Sequence, residues 1–582
     1  MSDDDHEFRV QPGRSRDRGA GASRKGKKLA AQVKRAAMRA GFTGGGGPGR
    51  RGGTGRFGRG RAAAFAGRRS PQQRRVIIKA RVVRHFGDRY RAAPLSRHIS
   101  YLEQDGRARD GRGATMFDAR SDAADRDAFA SRCEGDRHHF RFIVSPDDAS
   151  DMGDLRAFTR ELMDDMARDL GTELDWVAVD HWNTDNPHLH VLVRGRAQDG
   201  ADLVIDRDYI SEGMRQRAEQ RVTLELGPRS ELELQRALRR EVTAERWTSL
   251  DRHLRHLADD GGGVANLQPG VRLSEPRRLL LLGRAAHLER LGLADRSATA
   301  CWSLRPGLES TLRDLAVRGD VIKTMHRALG GRGRAVDPGG FAIHPDAPTD
   351  PVIGRLAARG LHDELTGSAY AVVEGVDGRT HHLTFADLEV TGDARPGAVV
   401  ELRQWTTAEG ENRRALATRS DLSIEAQIRA PGATWLDRQS LSRAPLATGN
   451  GFGAEVREAM AARVDHLAGL GLARRQGQAV VFARDLLDTL AKRELGDAAA
   501  GIAARTGLEH RPGVAGGSVA GVYRERVDLS SGRFAMIDDG LGFQLVPWRP
   551  AIEQHLGRHI GGTMMQSGGI EWNLGKQRGL SI

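Results

Sequence analysis

Three histidines lie close together in the sequence, around a short polar turn. His188 and His190 are two residues apart in an apolar stretch, and His181 precedes the turn 183–187. Residues two apart on a β-strand point to the same face of a sheet, so a strand here would place His188 and His190 together. If the turn makes the flanking strands antiparallel neighbours, His181 lies across from that pair. Three imidazoles on one face, with few carboxylates among them, predict a site for a divalent metal ion with open coordination positions.

The third histidine carries most of this prediction, because an isolated His-x-His pair is more often an ordinary polar feature of a strand. Two acidic residues, Asp180 and Asp185, are close enough in sequence to supply hydrogen bonds that orient the imidazole rings.

The surrounding sequence predicts the elements that would hold these histidines. Alternating or β-branched runs indicate strands, and apolar residues at helical spacing indicate helices. Strands are predicted over 75–83, 139–145, 174–182 and 188–194, and helices over 94–104 and 155–170. This order predicts a compact α+β domain with a mostly antiparallel sheet, covering residues 74–227.

Composition narrows the class of partner. The 582 residues include 90 Lys and Arg against 77 Asp and Glu, a formal charge of +13. This balance favours a polyanionic partner, either nucleic acid or an anionic membrane surface. Cys133 and Cys301 are too few and too distant for a disulfide framework. The sequence contains no apolar run of about 18 residues, the length that would predict a membrane span. No secretory signal is evident, so a cytoplasmic location is expected.

The rest of the chain divides by composition and by internal similarity. Residues 1–73 are predicted to be a disordered basic arm rich in Gly and Arg, and residues 228–262 a helical linker built on one charged helix, 232–258. Two mixed α/β repeats, winged-helix-like and small β-barrel-like, are predicted over 263–405 and 406–582. Their evidence is the recurrence of 287–294 at 466–473 and of 357–361 at 503–508.

The histidine segment also resembles a known family. His181 to Val193 is similar to the third motif of conjugative relaxases, mobilisation nucleases of the HUH superfamily, in the branch that contains the T-DNA border endonuclease. The run 76–79 resembles the family's first strand, Tyr101-Leu102 its nucleophilic Tyr-Leu pair, and 142–145 its middle motif. The likeness covers about residues 74–225, and the C-terminal half resembles an uncharacterised extension found on such nucleases.

The resemblance implies an HUH-type nuclease domain and an activity. His181, His188 and His190 would hold magnesium or manganese, and Tyr101 would attack one strand of DNA, forming a 5′-phosphotyrosyl bond. Asn183 stands where the family usually has Asp, next to the metal ligands. Expected partners are single-stranded DNA at a transfer origin, accessory relaxosome proteins and a type IV coupling protein, with translocation of the protein together with the DNA.

Four residues near this site are candidates for contacts to the DNA backbone. Arginines can neutralise phosphates, and a serine on the predicted face of His139 and Arg141 can donate to them. The candidates are Arg97, Arg141, Ser145 and Arg194.

Two other classes of function remain open from the sequence. A rolling-circle replication initiator or a transposase of the same superfamily also uses histidines and a tyrosine, but the tyrosine often follows the histidine motif, whereas Tyr101 precedes it. A non-enzymatic DNA-binding adaptor would keep the repeats and carry a vestigial histidine motif.

Overall fold

The computed structural model describes residues 59–60, 72–85, 95–182, 186–270, 273–330, 340–344, 348, 350–363, 365–408, 410–443, 446–477, 479–566 and 568–573. Most of the predicted arm 1–73 lies outside these residues. The chain divides into two compact units, the first ending at Leu308 and the second beginning at Glu309. Both units combine α-helices with largely antiparallel sheets, which confirms the mixed α and β class.

The first unit contains a four-stranded antiparallel sheet in the order β1-β2-β4-β3. The elements of this region are β1 (Val76–Arg84), α1 (Leu95–Asp105), α2 (Arg126–Arg132), β2 (His138–Pro146), α3 (Leu155–Leu170), β3 (Trp176–His181), β4 (His188–Arg194) and α4 (Met214–Leu226). The six strands and helices predicted in this region are confirmed to within two residues.

One face of this sheet is largely covered by helix α3. Phe140, Phe142 and Val144 alternate along β2 and are buried together with Leu162 and Met166 of α3. The helix α3 begins after Asp154, whose side chain accepts from two backbone N–H groups, and ends at Gly171 in the left-handed conformation. Burial of each large apolar side chain contributes roughly 1.5–3 kcal/mol, so this layer is the main core of the region.

The opposite face has a covered half and an open half. Helices α1 and α2 cover β3 and β4, where Ile99, Leu102 and Phe129 pack with Val177 and Val179. Over β1 the face is open, since the side chains 77, 79 and 81 are all exposed. The histidines of β3 and β4 therefore lie near the border between the two halves.

The predicted single helix 232–258 is wrong. Two helices occupy this stretch, α5 (Glu231–Val242) and α6 (Ser249–Asp260). Thr248 and Asp251 form a reciprocal capping box that begins α6, a short-range signal within an otherwise helical charge pattern.

Both helices belong to a packed unit, so the stretch predicted as a linker, 228–262, is not one. The unit continues with β5 (Val264–Asn266), α7 (Glu275–Arg290), β6 (Ala294–Ala298) and β7 (Cys301–Leu304), and its strands pair in the order β5-β7-β6. We call residues 231–304 the first helical unit. At its centre the guanidinium of Arg284 is fully buried and donates to both carboxylate oxygens of Asp251, at 2.7 and 2.9 Å.

The second compact unit begins with most of helix α8 (Leu308–Leu329) and a six-stranded sheet in the order β13-β12-β9-β10-β11-β8. The strands are β8 (Phe341–His344), β9 (Ile353–Asp363), β10 (Ser368–Gly375), β11 (Thr380–Phe385), β12 (Val399–Thr406) and β13 (Asn412–Ser420). The predicted boundary at 405/406 falls inside β12, which pairs with β13 along its whole length. The sheet therefore continues to Ser420.

A second helical unit, residues 424–482, follows this sheet. It comprises α9 (Ile424–Ile428), α10 (Trp435–Ser440), α11 (Phe452–Gly469), β14 (Ala473–Gln476) and β15 (Ala479–Phe482). Buried Arg463 donates to both carboxylate oxygens of Asp437, as Arg284 does to Asp251.

A long helix and a second six-stranded sheet complete the described chain. The helix is α12 (Leu486–Thr506), and the sheet has the order β16-β19-β18-β17-β20-β21. Its strands are β16 (Glu509–His510), β17 (Ser518–Leu529), β18 (Gly532–Asp538), β19 (Gly542–Pro547), β20 (His559–Met564) and β21 (Ile570–Asn573). Among the described helices, none combines the length and the apolar character that crossing a membrane requires.

The two sequence recurrences have different outcomes. The segments 287–294 and 466–473 each run from the end of a long helix into the first strand of a hairpin. The segments 357–361 and 503–508 do not correspond, because the first lies within strand β9 and the second ends helix α12. That second similarity is wrong as evidence of a repeat.

Candidate metal centre

The three predicted histidines meet on one face of the sheet. His181 on β3 is the cross-strand partner of His188 on β4, and His190 lies two residues further on. All three are buried, and one nitrogen from each ring lies within 4.8 Å of the other two. The Nε2 atoms of His188 and His190 are 3.1 Å apart. A zinc-like ion would sit about 2.0–2.1 Å from each nitrogen, so this spacing is close to that of two ligands on one metal.

Backbone carbonyls define which ring nitrogens can act as ligands. The Nδ1 of His188 is 3.0 Å from the Asn186 carbonyl oxygen, and the Nε2 of His181 is 2.8 Å from the Leu102 carbonyl oxygen. A ring nitrogen that donates to a carbonyl carries the proton, which leaves the other nitrogen of that ring as a lone-pair donor. In a neutral ring, each carbonyl therefore favours the tautomer whose other nitrogen can bind a metal.

A glycine forms the wall beside His181. A Cβ placed on Gly106 would overlap Cδ2 of His181 and lie 2.5 Å from its Nε2. Such contacts are too short for any side chain, so only glycine fits there without moving the ring. No periodicity or spacing in the sequence singles out Gly106, because its role depends on His181, 75 positions away.

Helix α1 brings Tyr101 next to this wall. Tyr101 immediately precedes Leu102, whose carbonyl oxygen faces His181, and α1 ends at Asp105, directly before Gly106. The side chain of Tyr101 lies outside the described residues, as does that of Arg97. The backbone alone therefore places Tyr101 on the helix that contacts the histidine cluster.

Two other tyrosines are engaged elsewhere. Tyr209 is fully buried and its hydroxyl donates to Asp169 at 3.0 Å; burial, then the Asp169 charge, raises its pKa well above the usual value. Tyr523 is also fully buried, and burial together with Glu553 raises its pKa to about 12. Neither phenol is suited to act as a nucleophile.

Of the predicted orienting residues, Asp180 is described and does not contact the imidazoles. Asp180 lies between Val179 and His181 on β3, so its side chain points to the opposite face of the strand. Its carboxylate accepts from Arg156 at 3.0 Å and from the indole N–H of Trp182 at 2.8 Å. Asn183 and Asp185 lie outside the described residues. Backbone carbonyls supply the observed contacts to the rings in place of Asp180.

A second pair of histidines fixes Arg141 on the same face. Arg141 Nε donates to Nε2 of His139 at 3.0 Å, and Nδ1 of His139 is 2.5 Å from Nε2 of His85. Burial, and next the Arg141 charge, lowers the pKa of His139 well below its usual value, so the ring stays neutral and accepts from Arg141. His139 thereby holds the Arg141 guanidinium in one orientation.

The remaining predicted DNA contacts differ in their surroundings. Ser145 is half-buried on β2 and is the cross-strand partner of Ile77, on the face that is open over β1. Arg194 donates to both carboxylate oxygens of buried Asp136, at 2.7 and 3.2 Å. Arg194 therefore links β4 to the segment between α2 and β2. Ser145 lies at the open half of the sheet.

An antiparallel sheet with three convergent, buried imidazoles defines the first compact unit as a candidate metal-binding region. Family membership comes from residues that follow the histidine cluster in the chain. A family described as "Protein of unknown function (DUF3363)" matches residues 281–415 and 407–581. These segments together cover more than half of the 582 residues, and the chain belongs to this family. No curated protein and no solved structure matches the chain. The matched segments begin after His190, so the family assigns no role to the histidines.

Proposed function

We propose that this protein is a DNA relaxase with an HUH-type nuclease domain, which nicks and rejoins one DNA strand at a transfer origin. The observation that carries the proposal is the convergence of His181, His188 and His190 beside the helix that holds Tyr101. The tyrosine precedes the histidines in sequence, the order that the resemblance to conjugative relaxases implies.

The donor set fits a divalent ion. Three neutral imidazole nitrogens can bind magnesium, manganese or zinc, and they leave positions open for substrate oxygens. When bound, such an ion would neutralise negative charge on the phosphate oxygens of the scissile bond. If His188 and His181 donate to the Asn186 and Leu102 carbonyls, the other nitrogen of each ring is left to bind the ion.

Tyr101 would supply the nucleophile. Its phenolic oxygen, having lost its proton, attacks the scissile phosphorus, and the bond from phosphorus to the 3′ oxygen breaks. The products are a 5′-phosphotyrosyl ester and a 3′-hydroxyl that has taken up a proton. The ester conserves the energy of the phosphodiester, so attack by a 3′-hydroxyl reverses the step and reseals the strand.

The open half of the sheet is suited to a DNA backbone. Arg81 and Arg141 are cross-strand partners, and Lys79 lies two residues before Arg81 on the same face. Lys79 and Arg81 are exposed, and Ile77 beside them is 54% exposed. Such a row of cations with an apolar neighbour matches the requirements of a single strand, which offers phosphates along one side and bases along the other.

The proposal extends to the finer architecture and setting. The two helical units, each of three helices and a hairpin, would be duplicated winged-helix-like elements, each followed by a helix and a small sheet. The protein would act in the cytoplasm with accessory relaxosome proteins and a type IV coupling protein, and would travel with the DNA to a recipient cell.

A covalent adduct tests the proposed activity. Purified protein is incubated with a pool of single-stranded origin-region oligonucleotides and Mg²⁺ or Mn²⁺, and then run on a denaturing gel. The expected result is a slower-migrating adduct with wild type and with the control Tyr370→Phe, and its loss with Tyr101→Phe and with His188→Ala. Tight DNA binding without an adduct for any oligonucleotide or metal would contradict the proposal and favour the non-enzymatic adaptor.

Metal binding tests the site apart from catalysis. Mn²⁺ affinity is measured by calorimetry or electron paramagnetic resonance for wild type, Gly106→Ala and the control Gly111→Ala, whose Cβ would meet no atom within 4 Å. Displacement of His181 in Gly106→Ala should weaken Mn²⁺ binding by about 10- to 100-fold. Gly111 has a φ of +82°, so its variant controls for backbone strain in the same loop. Equal affinities in all three proteins would exclude His181 as a ligand.

A further inference from the structure

A two-stranded ribbon extends from the first six-stranded sheet of the second compact unit. Strand β12 pairs with β9 only over Val399–Glu401, but its pairing with β13 continues to Thr406 opposite Asn412. We call residues 402–416 the ribbon. Beyond Glu401 no further β9 residue is in register with β12 among the described residues. On one face of the ribbon, Leu402 and Leu416 are buried in the core of the sheet, and the Gln404 and Arg414 side chains donate to Pro348 and Thr384.

One face of the ribbon carries a tryptophan between two arginines. Trp405 is directly opposite Arg413, and Arg403 lies two residues before Trp405, on the same face. Trp405 is 50% exposed, which is unusual for the largest apolar side chain, and both arginines are exposed. A rise of about 3.3 Å per residue separates Arg403 from Trp405 by roughly 6.6 Å along the strand.

The cations on this face are available for a ligand. Among the described residues Arg403 has neither an ion pair nor a hydrogen bond through its side chain. Arg413 pairs with Glu411, but both side chains of this pair are more than half exposed. Surface pairs of this kind contribute little, so Arg413 can exchange Glu411 for another anion at low cost.

Trp548, in the same compact unit, is a contrasting case in which a tryptophan and its neighbouring arginines stabilise the fold. The guanidinium groups of Arg526 and Arg533 lie over the ring of Trp548. Both arginines donate to Asp393, and the Trp548 indole N–H donates to Glu553. There the cations and the indole have internal partners, whereas Arg403 and Trp405 face outward.

We propose that the ribbon face formed by Arg403, Trp405 and Arg413 binds single-stranded nucleic acid. A base stacks on the exposed indole, and the phosphates on either side of that base pair with the two guanidinium groups. Stacking on an aromatic side chain is open to unpaired bases, whereas the bases of a duplex already stack on each other. The proposal does not depend on the histidine cluster, and it gives the second compact unit a nucleic-acid contact of its own.

Photochemical crosslinking locates this contact directly. Full-length protein is irradiated with an oligothymidylate that carries 5-iododeoxyuridine, a base that crosslinks to stacked aromatic side chains, and the modified peptide is identified by mass spectrometry. The expected product joins the oligonucleotide to Trp405. It should persist in His188→Ala, so loss of the proposed nicking activity and loss of this contact are distinguishable.

Affinity measurements supply the second readout. Fluorescence anisotropy with the same oligonucleotide should show binding weakened about fivefold or more by Trp405→Ala, with recovery in Trp405→Phe. Arg403→Ala should weaken binding and reduce its dependence on salt. Thr406→Ala, on the opposite face of the ribbon, is the matched control and should bind as wild type does.

Three results would overturn the proposal. They are the absence of a crosslink within the ribbon, an unchanged affinity in both Trp405→Ala and Arg403→Ala, and preferential binding of a duplex of the same length. Comparison of oligothymidylate with oligouridylate then distinguishes DNA from RNA as the preferred single strand.

Discussion

The two helical units share an interior but not their surroundings. In the first, Arg284 donates to Asp251 and to the carbonyl oxygens of residues 242, 244 and 246. In the second, Arg463 donates to Asp437 and to the carbonyl oxygens of residues 428, 430 and 432. Each aspartate also completes a capping box with the threonine three residues before it. In both units, therefore, one buried arginine holds the loop between the first two helices against the start of the second helix.

The differences lie outside this shared interior. Strand β5 adds a third strand to the hairpin of the first unit, while the hairpin β14-β15 of the second unit stands alone among the described residues. Glu494 on α12 holds the β17–β18 turn near the second helical unit. The residue at the same distance from the start of α8 is Ala316. The comparison indicates that the buried ion pair defines the unit, whereas its edges have diverged.

The largest expected effect comes from breaking the shared ion pair. Asp251→Ala and Asp437→Ala each leave a buried guanidinium without its carboxylate, and each should lower the free energy of unfolding by about 3–5 kcal/mol. Urea denaturation followed by circular dichroism, with limited proteolysis to assign the affected segment, measures both. A large loss for one aspartate with less than about 1 kcal/mol for the other would show that the two interiors are not equivalent.

Acid should destabilise the first of the two six-stranded sheets that follow the helical units. Burial, then His362 and His344, lowers the pKa of His382 on β11 to about 4. The unfolded chain binds this proton near pH 6.5, so stability is full above that pH and is lost as the pH falls toward 4, by roughly 3 kcal/mol. Thermal unfolding between pH 7.5 and 4.5 measures the loss.

The variant His382→Phe fills a similar volume and cannot titrate. Its unfolding temperature should depend less on pH than that of wild type, with His326→Phe, a half-buried histidine, as the control. An identical pH dependence in wild type and His382→Phe would assign the acid sensitivity to other groups.

Loss of Glu494 should affect the second helical unit and the β17–β18 turn, but not the first helical unit. Its carboxylate accepts from the backbone N–H groups of Ser530 and Ser531, whose hydroxyls accept from the N–H groups of Gly432 and Ala433. Glu494→Ala leaves the Ser530 and Ser531 N–H groups without their acceptor and should cost about 1–3 kcal/mol. Proteolysis should then begin near residues 430–434, while Asp497→Ala, an exposed change on the same helix, should leave the protein unaltered.

The smallest effect is expected for the exposed ion pairs of the two units. Asp295 of the first unit pairs with Arg305, the residue directly after that unit, and Asp465 of the second unit pairs with Arg475. All four side chains are more than half exposed. Solvent and salt screen such pairs, so Asp295→Ala and Asp465→Ala should leave the urea midpoint unchanged. A shift comparable to that of Asp251→Ala would contradict the distinction between buried and exposed pairs.

The strands and helices around the histidine cluster, from β1 to β4, followed from local patterns. Alternation in β2 and helical spacing in α3 predicted their positions, because burial on one face imposes a period on the sequence. The same logic brought His181 opposite His188, since a five-residue polar turn between two strands favours antiparallel neighbours. Alternation also excludes Asp180 from the face of His181, a consequence that follows from sequence as directly as the histidine pair itself.

The start of the repeated unit is marked in the sequence only by two short stretches that are far apart in the chain. Residues 248–252 and 434–438 both read Thr-x-Leu-Asp-Arg, and each stretch begins a helix with its capping box. This recurrence places the start of the repeated unit inside the stretch predicted as a linker. The charge pattern of 232–258 concealed it, because a capping box differs little in composition from the charged helix around it.

By itself the sequence determined the secondary structure around the histidines and their shared face, since both depend on the period of a few neighbouring residues. Only the tertiary structure decided that Gly106 forms the wall of the histidine cluster, that His139 orients Arg141, and that Arg284 and Arg463 are buried. These roles join residues far apart in the chain or groups whose burial depends on the packed surroundings. Local periodicity carries no information about such contacts, because they exist only once separate elements have packed together.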